Sequence, residues 1–306
     1  MTSSSSRSFL GKATIQTLAL SPSGRQLAYL QRSGKTQTLW LMETETLKPT
    51  KALVTQNVEN IDWATDESGI FVETGQSLAF LDIESGASRL IWRLDADKAQ
   101  RWMGVDPTRP HHFWVHQDEA AGQYTLLRVD QTGAVAPLLT HPQRLNHFSL
   151  DDSGQVAFLK YIEGDKQVIR AQPQGLEGLT CDKFDPCHLL GPGPGGAGFY
   201  LQAHLGEDLL GFYLVTQPGV KPTPLHRDPK GMADLARVYK PEQGAVPILL
   251  RYDTPRPRTY ALDTESQAHI RAIETALTQH NITLDPRASG PWLVTEYGPE
   301  LQPPRY

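Results

Sequence analysis

Apolar and polar residues alternate in short runs along most of this chain, and turn residues interrupt the runs at near-regular intervals. Period-2 alternation with β-branched and aromatic content predicts half-buried strands. A polar turn ending in Gly recurs as Ser21-Pro22-Ser23-Gly24, Asp66-Glu67-Ser68-Gly69, Asp151-Asp152-Ser153-Gly154, Lys240-Pro241-Glu242-Gln243-Gly244 and Asp285 to Gly290. Asp106 to Pro110 holds the same place without the glycine, and Gly191 to Gly196 holds it with extra glycines. Gly24 to Gly69 is 45 residues, Gly69 to Gly154 is 85, Gly154 to Gly244 is 90 and Gly244 to Gly290 is 46. The longer gaps are two periods each. A period of about 40 to 50 residues built of short strands is the signature of propeller blades.

Each unit predicts the same anatomy. A first strand precedes the turn, as in Ile15 to Leu20, Val58 to Trp63 and Leu145 to Leu150. A second follows it: Gln26 to Leu30, Ile70 to Glu73, His112 to His116, Gln155 to Tyr161, Gly198 to Ala203, Val246 to Tyr252 and Pro291 to Glu296. A third runs on to a polar turn: Thr38 to Met42, Ser77 to Asp82, Tyr124 to Asp130, Lys166 to Ala171, Leu210 to Thr216 and Arg258 to Asp263. Hairpin turns at Asp82 to Gly86 and Asp130 to Gly133 lead into fourth strands, since Asp and Gly tolerate φ > 0. The expected fold is therefore all-β, a propeller of about seven four-stranded blades forming one domain over residues 1–306.

Two segments depart from the pattern. Ala268, Ile270, Ala272, Ile273, Ala276 and Leu277 recur at helical spacing, so 264–280 predicts a helix. Thr264 is expected to cap it and Asn281 to end it, in place of the sixth unit's fourth strand. The seventh unit has strands near Ile282 to Leu284 and Pro291 to Glu296, and the chain stops where a third should start. This last blade is expected to be incomplete, with exposed edges. The alternative closure pairs a strand near Phe9 to Thr14 with it.

Composition narrows the function classes. Of the 306 residues, 39% are hydrophobic and 21% charged, with a net charge of −5. That is ordinary for a globular chain and lacks the basic footprint of a nucleic-acid binder. No run of about 18 apolar residues predicts a membrane span. Met1 to Ser8 has no apolar stretch, so no signal peptide is read, and the cytoplasm is the expected compartment, or the periplasm if a signal peptide was removed. Cys181 and Cys187 do not make a disulfide framework and are read as two thiols in a loop, with a local bridge as the alternative in an oxidising compartment.

At the residue level the pattern meets a family. Leu20 to Leu30, running Leu-Ser-Pro-Ser-Gly-Arg-Gln-Leu-Ala-Tyr-Leu, resembles the first-blade turn of prolyl oligopeptidase family serine peptidases, of the acylaminoacyl-peptidase and dipeptidyl-peptidase type. Ser23 stands where that family usually has Asp. Leu39 to Met42 is similar to the family's third strand, Ile61-Asp62-Trp63 before Asp66 to its second blade, and Asp106 to Pro110 to its third-blade turn. Gly298 to Tyr306 resembles the stretch before such a propeller hands over to the peptidase domain. The resemblance implies a propeller that gates access of peptides to an α/β-hydrolase domain following Tyr306. The expected partners are that domain and peptide substrates, with no nucleic acid and no membrane.

The resemblance also implies a Ser–Asp–His triad with its Ser on a Gly-x-Ser-x-Gly elbow, which this chain lacks. The nearest string, Gly75 to Ala79, puts Ser77 at a strand start instead of a strand-to-helix turn. No catalytic residue, cofactor site or metal site is therefore assigned. His112 and His116 share a strand face about 13 Å apart, too far for two ligands of one metal at about 2.1 Å each. Cys181, Cys187 and His188 lack a fourth ligand. Gly191, Gly193 and Gly196 match a dinucleotide loop formally, but Pro192 and Pro194 remove amide donors and a strand follows. Asn281 opens a glycosylation sequon with nothing to mark secretion. Asp62, Asp66, Asp151 and Asp152 are expected to bond their own turn backbones. The six tryptophans, Trp40, Trp63, Trp92, Trp102, Trp114 and Trp292, are expected on strands, packed between blades. Two other readings stay open: a stand-alone propeller scaffold for a protein or peptide, and a propeller enzyme such as a lactonase or lyase with its site in the central channel, ranked last because first-strand positions, expected to face the axis, read as mostly apolar or small.

Overall fold

The computed structural model describes residues 14–119, 122–172, 178–216, 220–241, 246–277, 281–288, 290–298 and 301–306. The strand near Phe9, the Gly244 turn, Ser289 and Pro299-Glu300 of the sequence reading lie outside them. The described residues form seven antiparallel sheets, five of four strands and two of three, each built from strands consecutive in the chain. They fall into two compact units.

Unit 1 holds the described residues up to Arg93 and from Leu277 onward. Its first sheet is β1 (Thr14–Leu20), β2 (Gln26–Ser33), β3 (Thr36–Glu43) and β4 (Pro49–Thr55). Its second is β5 (Val58–Trp63), β6 (Gly69–Thr74), β7 (Ser77–Asp82) and β8 (Ser88–Arg93). Unit 2, Leu94–Ala276, holds the next four sheets. They are β9 (Arg101–Val105) to β12 (Val135–His141) around β10 (His112–Asp118) and β11 (Tyr124–Asp130); β13 (Leu145–Leu150), β14 (Val156–Glu163), β15 (Lys166–Ala171) and β16 (Leu179–Asp182); β17 (Cys187–Pro192), β18 (Phe199–Ala203), β19 (Gly211–Val215) and β20 (Thr223–His226); and β21 (Leu235–Tyr239), β22 (Leu249–Tyr252) and β23 (Arg258–Ala261). The last sheet belongs to unit 1: β24 (Asn281–Asp285), β25 (Leu293–Gly298) and β26 (Leu301–Arg305).

The second strands β2, β6, β10, β14 and β18 are buried along most of their length on both faces, whereas β25 is mostly half-buried. Leu27, Ala28, Tyr29 and Leu30 are all buried, as are Ile70, Phe71 and Val72, or Phe113, Trp114 and Val115. These runs are continuous where alternation was predicted, as expected for strands covered on two sides. Each core cluster joins two sheets. Leu30 and Leu39 meet Ile61, Trp63 and Ile70 in unit 1, and Trp114 and Leu126 meet Phe148 and Leu159 in unit 2. Trp63 Nε1 donates to the Ala19 carbonyl at 2.8 Å, tying the first two sheets together. Trp292 precedes β25, so the expectation that all six tryptophans lie on strands is corrected there.

The recurring turns are the points at which sheets are latched. Asp106 follows β9 and is fully buried; it accepts from Thr108 N at 2.9 Å and Thr108 Oγ1 at 2.7 Å. Arg128 of β11 donates from Nε to Asp106 Oδ2 at 2.6 Å and from Nη2 to the Gly154 carbonyl of the next sheet's turn at 2.5 Å. Gly154 has φ +78°, and a Cβ there would stand 2.5 Å from Thr108 Oγ1, so the turn needs glycine for two reasons. The last and first sheets of unit 1 repeat this device. Arg287, held by Asp285 at 2.5 Å, donates to the carbonyls of Ser21 at 3.0 Å and Leu20 at 2.7 Å. Glu67 accepts from Ser23 N and, at 2.9 Å, from Ser23 Oγ, linking the first two turns.

Several expectations need correction. The helix α1 spans Thr264–Ala276, and its N-terminal cap is Asp263, which accepts from Ser266 N and Ser266 Oγ at 2.7 Å each. Thr264 is the first helical residue, and Asn281 opens β24 instead of ending the helix. Only Ser266 and Ile270 are buried; Ala268, Ala272 and Ala276 are exposed. The helix does follow the three-stranded sixth sheet, where a fourth strand was expected to be missing. The last sheet gains a third strand, β26, which the sequence reading placed beyond the end of the chain. Cys181 and Cys187 are not free thiols: they are disulfide-bonded, joining β16 of one sheet to β17 of the next. A sheet-to-sheet junction brings their Cα atoms to 6.3 Å, a separation that a loop reading did not foresee. Asp66 and Asp151 do bond their turns, whereas Asp62 lies within β5.

Candidate functional site

The first strands of all sheets but the last share one local feature. Six of the seven carry a bulge against their second strand, at Gln16, Glu59, Met103, Asn146, Leu190 and Ala236. A bulge leaves one residue unpaired and re-aims its neighbours. Side chains from adjoining strands and sheets satisfy the freed backbone. Gln37 donates to the Val58 carbonyl at 3.0 Å and accepts from Val58 N at 2.8 Å. Gln202 donates to the Leu235 carbonyl, and Lys160 to the Cys187 carbonyl. Lys240, which follows β21, donates to the carbonyl of Leu190, the bulged residue itself.

These first strands are more polar than the sequence reading allowed. In unit 1, β5 places Glu59 and Asp62 near Glu73 of β6. Burial raises the Asp62 pKa, and Asn60 Nδ2 donates to its Oδ2 at 2.8 Å. Burial and then the charges of Asp62 and Glu59 raise that of Glu73. In unit 2, β13 carries His147 and β17 carries His188. Desolvation, followed by the charges of Lys240, Lys160 and His188, holds the His147 pKa down at about 4. Desolvation and then Lys160 lower that of His188. Both lysines have pKa values lowered by burial. The signal available in sequence was the position of His147 and His188 on consecutive first strands, each beside an alternating apolar run.

The other positions singled out from sequence are not brought together. His116 is fully buried and stacks on Tyr124 at 5.8 Å, and His112 bonds the Pro110 carbonyl. Among the described residues no three His, Cys, Asp or Glu converge to hold a metal ion. Ser77 opens β7 and shares a 2.8 Å hydrogen bond with Thr74 in a hairpin. Gly191 to Gly196 joins two antiparallel strands through a short turn, with no α-helix to receive a phosphate. No described helix is long and apolar enough to cross a membrane.

Comparison with solved structures fixes the fold as a β-propeller. The oligogalacturonate lyase of Vibrio parahaemolyticus matches with a TM-score of 0.56 at 12% identity, over 83% of this chain and 77% of that one. The β-propeller domain of the Trilobed protease from Pyrococcus furiosus, described as having an open velcro topology, matches at 0.52 and 13%, over 82% and 81%. The acylaminoacyl peptidase of Pyrococcus horikoshii matches at 0.50 and 12% identity, over 94% of this chain but 51% of its own, so this chain spans about half its length. No protein-family model matches the sequence, and no curated protein matches it.

Proposed function

We propose that this chain is the propeller portion of a prolyl oligopeptidase type serine peptidase, gating the access of peptides to an α/β-hydrolase domain that follows Tyr306. The observation that carries this reading is the agreement of two independent signals. The turn and strand motifs of the first three blades occur in the family's order, and the same turns are the latches that hold the sheets together. Propellers of three peptidases are among the structural neighbours, including a prolyl endopeptidase at a TM-score of 0.54. In this reading the chain supplies selection by access and the following domain supplies the nucleophile. The chain alone is inert toward amide bonds, since Ser77 has no elbow context.

The test compares the 306-residue chain with the longest product of the same reading frame, on aminoacyl and prolyl chromogenic amides with free and blocked N-termini. Hydrolysis by the longer product alone supports the reading. Hydrolysis by the short chain, or by neither, overturns it. A second reading, a propeller that works alone as a binding scaffold, is favoured by the polar side chains carried on the first strands β5, β13 and β17. It gains if neither product cleaves amides.

A further inference from the structure

We infer that Lys160, Lys240, His147 and His188 of unit 2 form a receptor for an oxyanion, the carboxylate or phosphate group of a ligand. The four side chains gather around one strand. Lys160 reaches from β14 to the Cys187 carbonyl, and Lys240 reaches from the end of β21 to the Leu190 carbonyl. Both acceptors lie on β17, with His188 between them in sequence. Its neighbour β13 runs alongside and carries His147, in register with Lys160. Gly191 keeps the approach open: a Cβ there would stand 3.2 Å from Lys240 Nζ.

The charge of this cluster is uncompensated. An ammonium has three N–H donors, and each lysine donates to a carbonyl, which does not neutralise it. Among the described residues, neither lysine pairs with a carboxylate and neither imidazole has a hydrogen-bond partner. Several other cations of unit 2 are paired with carboxylates: Arg128 with Asp106, Arg227 with Glu207 and Lys166 with Asp182. The groups coupled to His147 are all basic: Lys240, Lys160 and His188. Lys160 is 8% exposed, so its charge is held where desolvation is costly unless an anion arrives. Charge-assisted donors in such a setting bind oxyanions well, and they also focus the local field on an incoming anion. His147 and His188 lie among packed sheets that partly desolvate them, yet each keeps part of its surface exposed, so the cluster can be reached.

The inference stands apart from the peptidase reading and is tested on the 306-residue chain itself. Imidazole resonances of His147 and His188 are followed by NMR at low ionic strength. The titrants are inorganic phosphate, citrate, and a short peptide rich in Asp beside its Asn counterpart. The expected result is a saturable shift of both rings and a rise of the His147 pKa above its free value. Lys240→Gln is expected to weaken binding at least tenfold. His188→Gln provides a second variant that keeps both lysine–carbonyl bonds, and melting curves show that each variant is folded. Binding of phosphate and citrate alone makes the ligand a small free anion; added binding of the Asp peptide, without its Asn counterpart, makes it a chain-borne carboxylate. Either upholds the site. Absence of a saturable shift with every titrant, or shifts unchanged in folded Lys240→Gln and His188→Gln, overturns it.

Discussion

Replacing Asp106 by Ala tests whether the recurring turns hold the propeller together. Asp106 is 0% exposed, and Arg128, which it neutralises at 2.6 Å, is 5% exposed. Removing one partner of a buried ion pair typically costs about 3–5 kcal/mol, because the other charge stays buried without compensation. The same substitution takes away the acceptor of Thr108 N, Thr108 Oγ1 and, at 3.3 Å, Trp114 Nε1. These losses overlap, so about 4 kcal/mol is the working figure. A unit of 150–250 residues, the class into which unit 2 falls, loses about 2–4 °C of melting temperature per kcal/mol, so a fall of roughly 8–16 °C is expected. Arg128→Met is expected to cost less, since Asp106 keeps the Thr108 and Trp114 donors. The double variant Asp106→Ala/Arg128→Met is expected to lose less than the sum, because no charge is left stranded. Differential scanning calorimetry with chemical denaturation reads all three. A loss under about 1 kcal/mol for Asp106→Ala, or strict additivity in the double variant, refutes the latch argument.

Three further outcomes follow from the same structure. Arg287→Ala, in unit 1, removes donors to the Ser21 and Leu20 carbonyls and is expected to cost roughly 1–3 kcal/mol, measured by urea unfolding. Reducing Cys181–Cys187, or replacing both by Ser, releases a short closed loop and is expected to lower stability by about 2 kcal/mol, read as a melting temperature with and without reductant. Lowering the pH from 7 toward 4 is expected to destabilise the fold. His116, His147, His188 and His226 have folded pKa values below the ordinary 6.5, so the unfolded chain binds more protons below that value. The stability is complete above about 6.5 and is lost as pH falls toward the folded values, and His147→Asn is expected to flatten the profile measured by chemical denaturation.

The strand pattern was legible in the sequence because it is local. Val58–Trp63, Ser77–Asp82, Tyr124–Asp130, Lys166–Ala171 and Leu145–Leu150 have the bounds that alternation and turn chemistry predict. The turn glycines announced the period, since φ +74° at Gly24 and +78° at Gly154 are conformations that glycine adopts without strain. Helix α1 was visible from its periodicity, but its cap moved by one residue, because Asp263 and Thr264 are both competent and only the backbone path selects between them.

Contacts between sheets decided what local pattern could not. The continuous burial of the second strands, the pairing of Cys181 with Cys187, and the third strand at Leu301–Arg305 all depend on which sheet lies beside which. The same holds for the site. His147 and Lys160 are 13 residues apart and His147 and Lys240 are 93 apart, and nothing in their spacing announces a cluster. A bulge at Leu190 freed a carbonyl, and the neighbouring sheet supplied the lysine that took it. By itself the sequence determined strand, turn and period, because steric preference and hydrophobic alternation act over a few residues. Only the tertiary structure determined where charge accumulates, because electrostatic coupling and desolvation act through space between residues the chain does not place together.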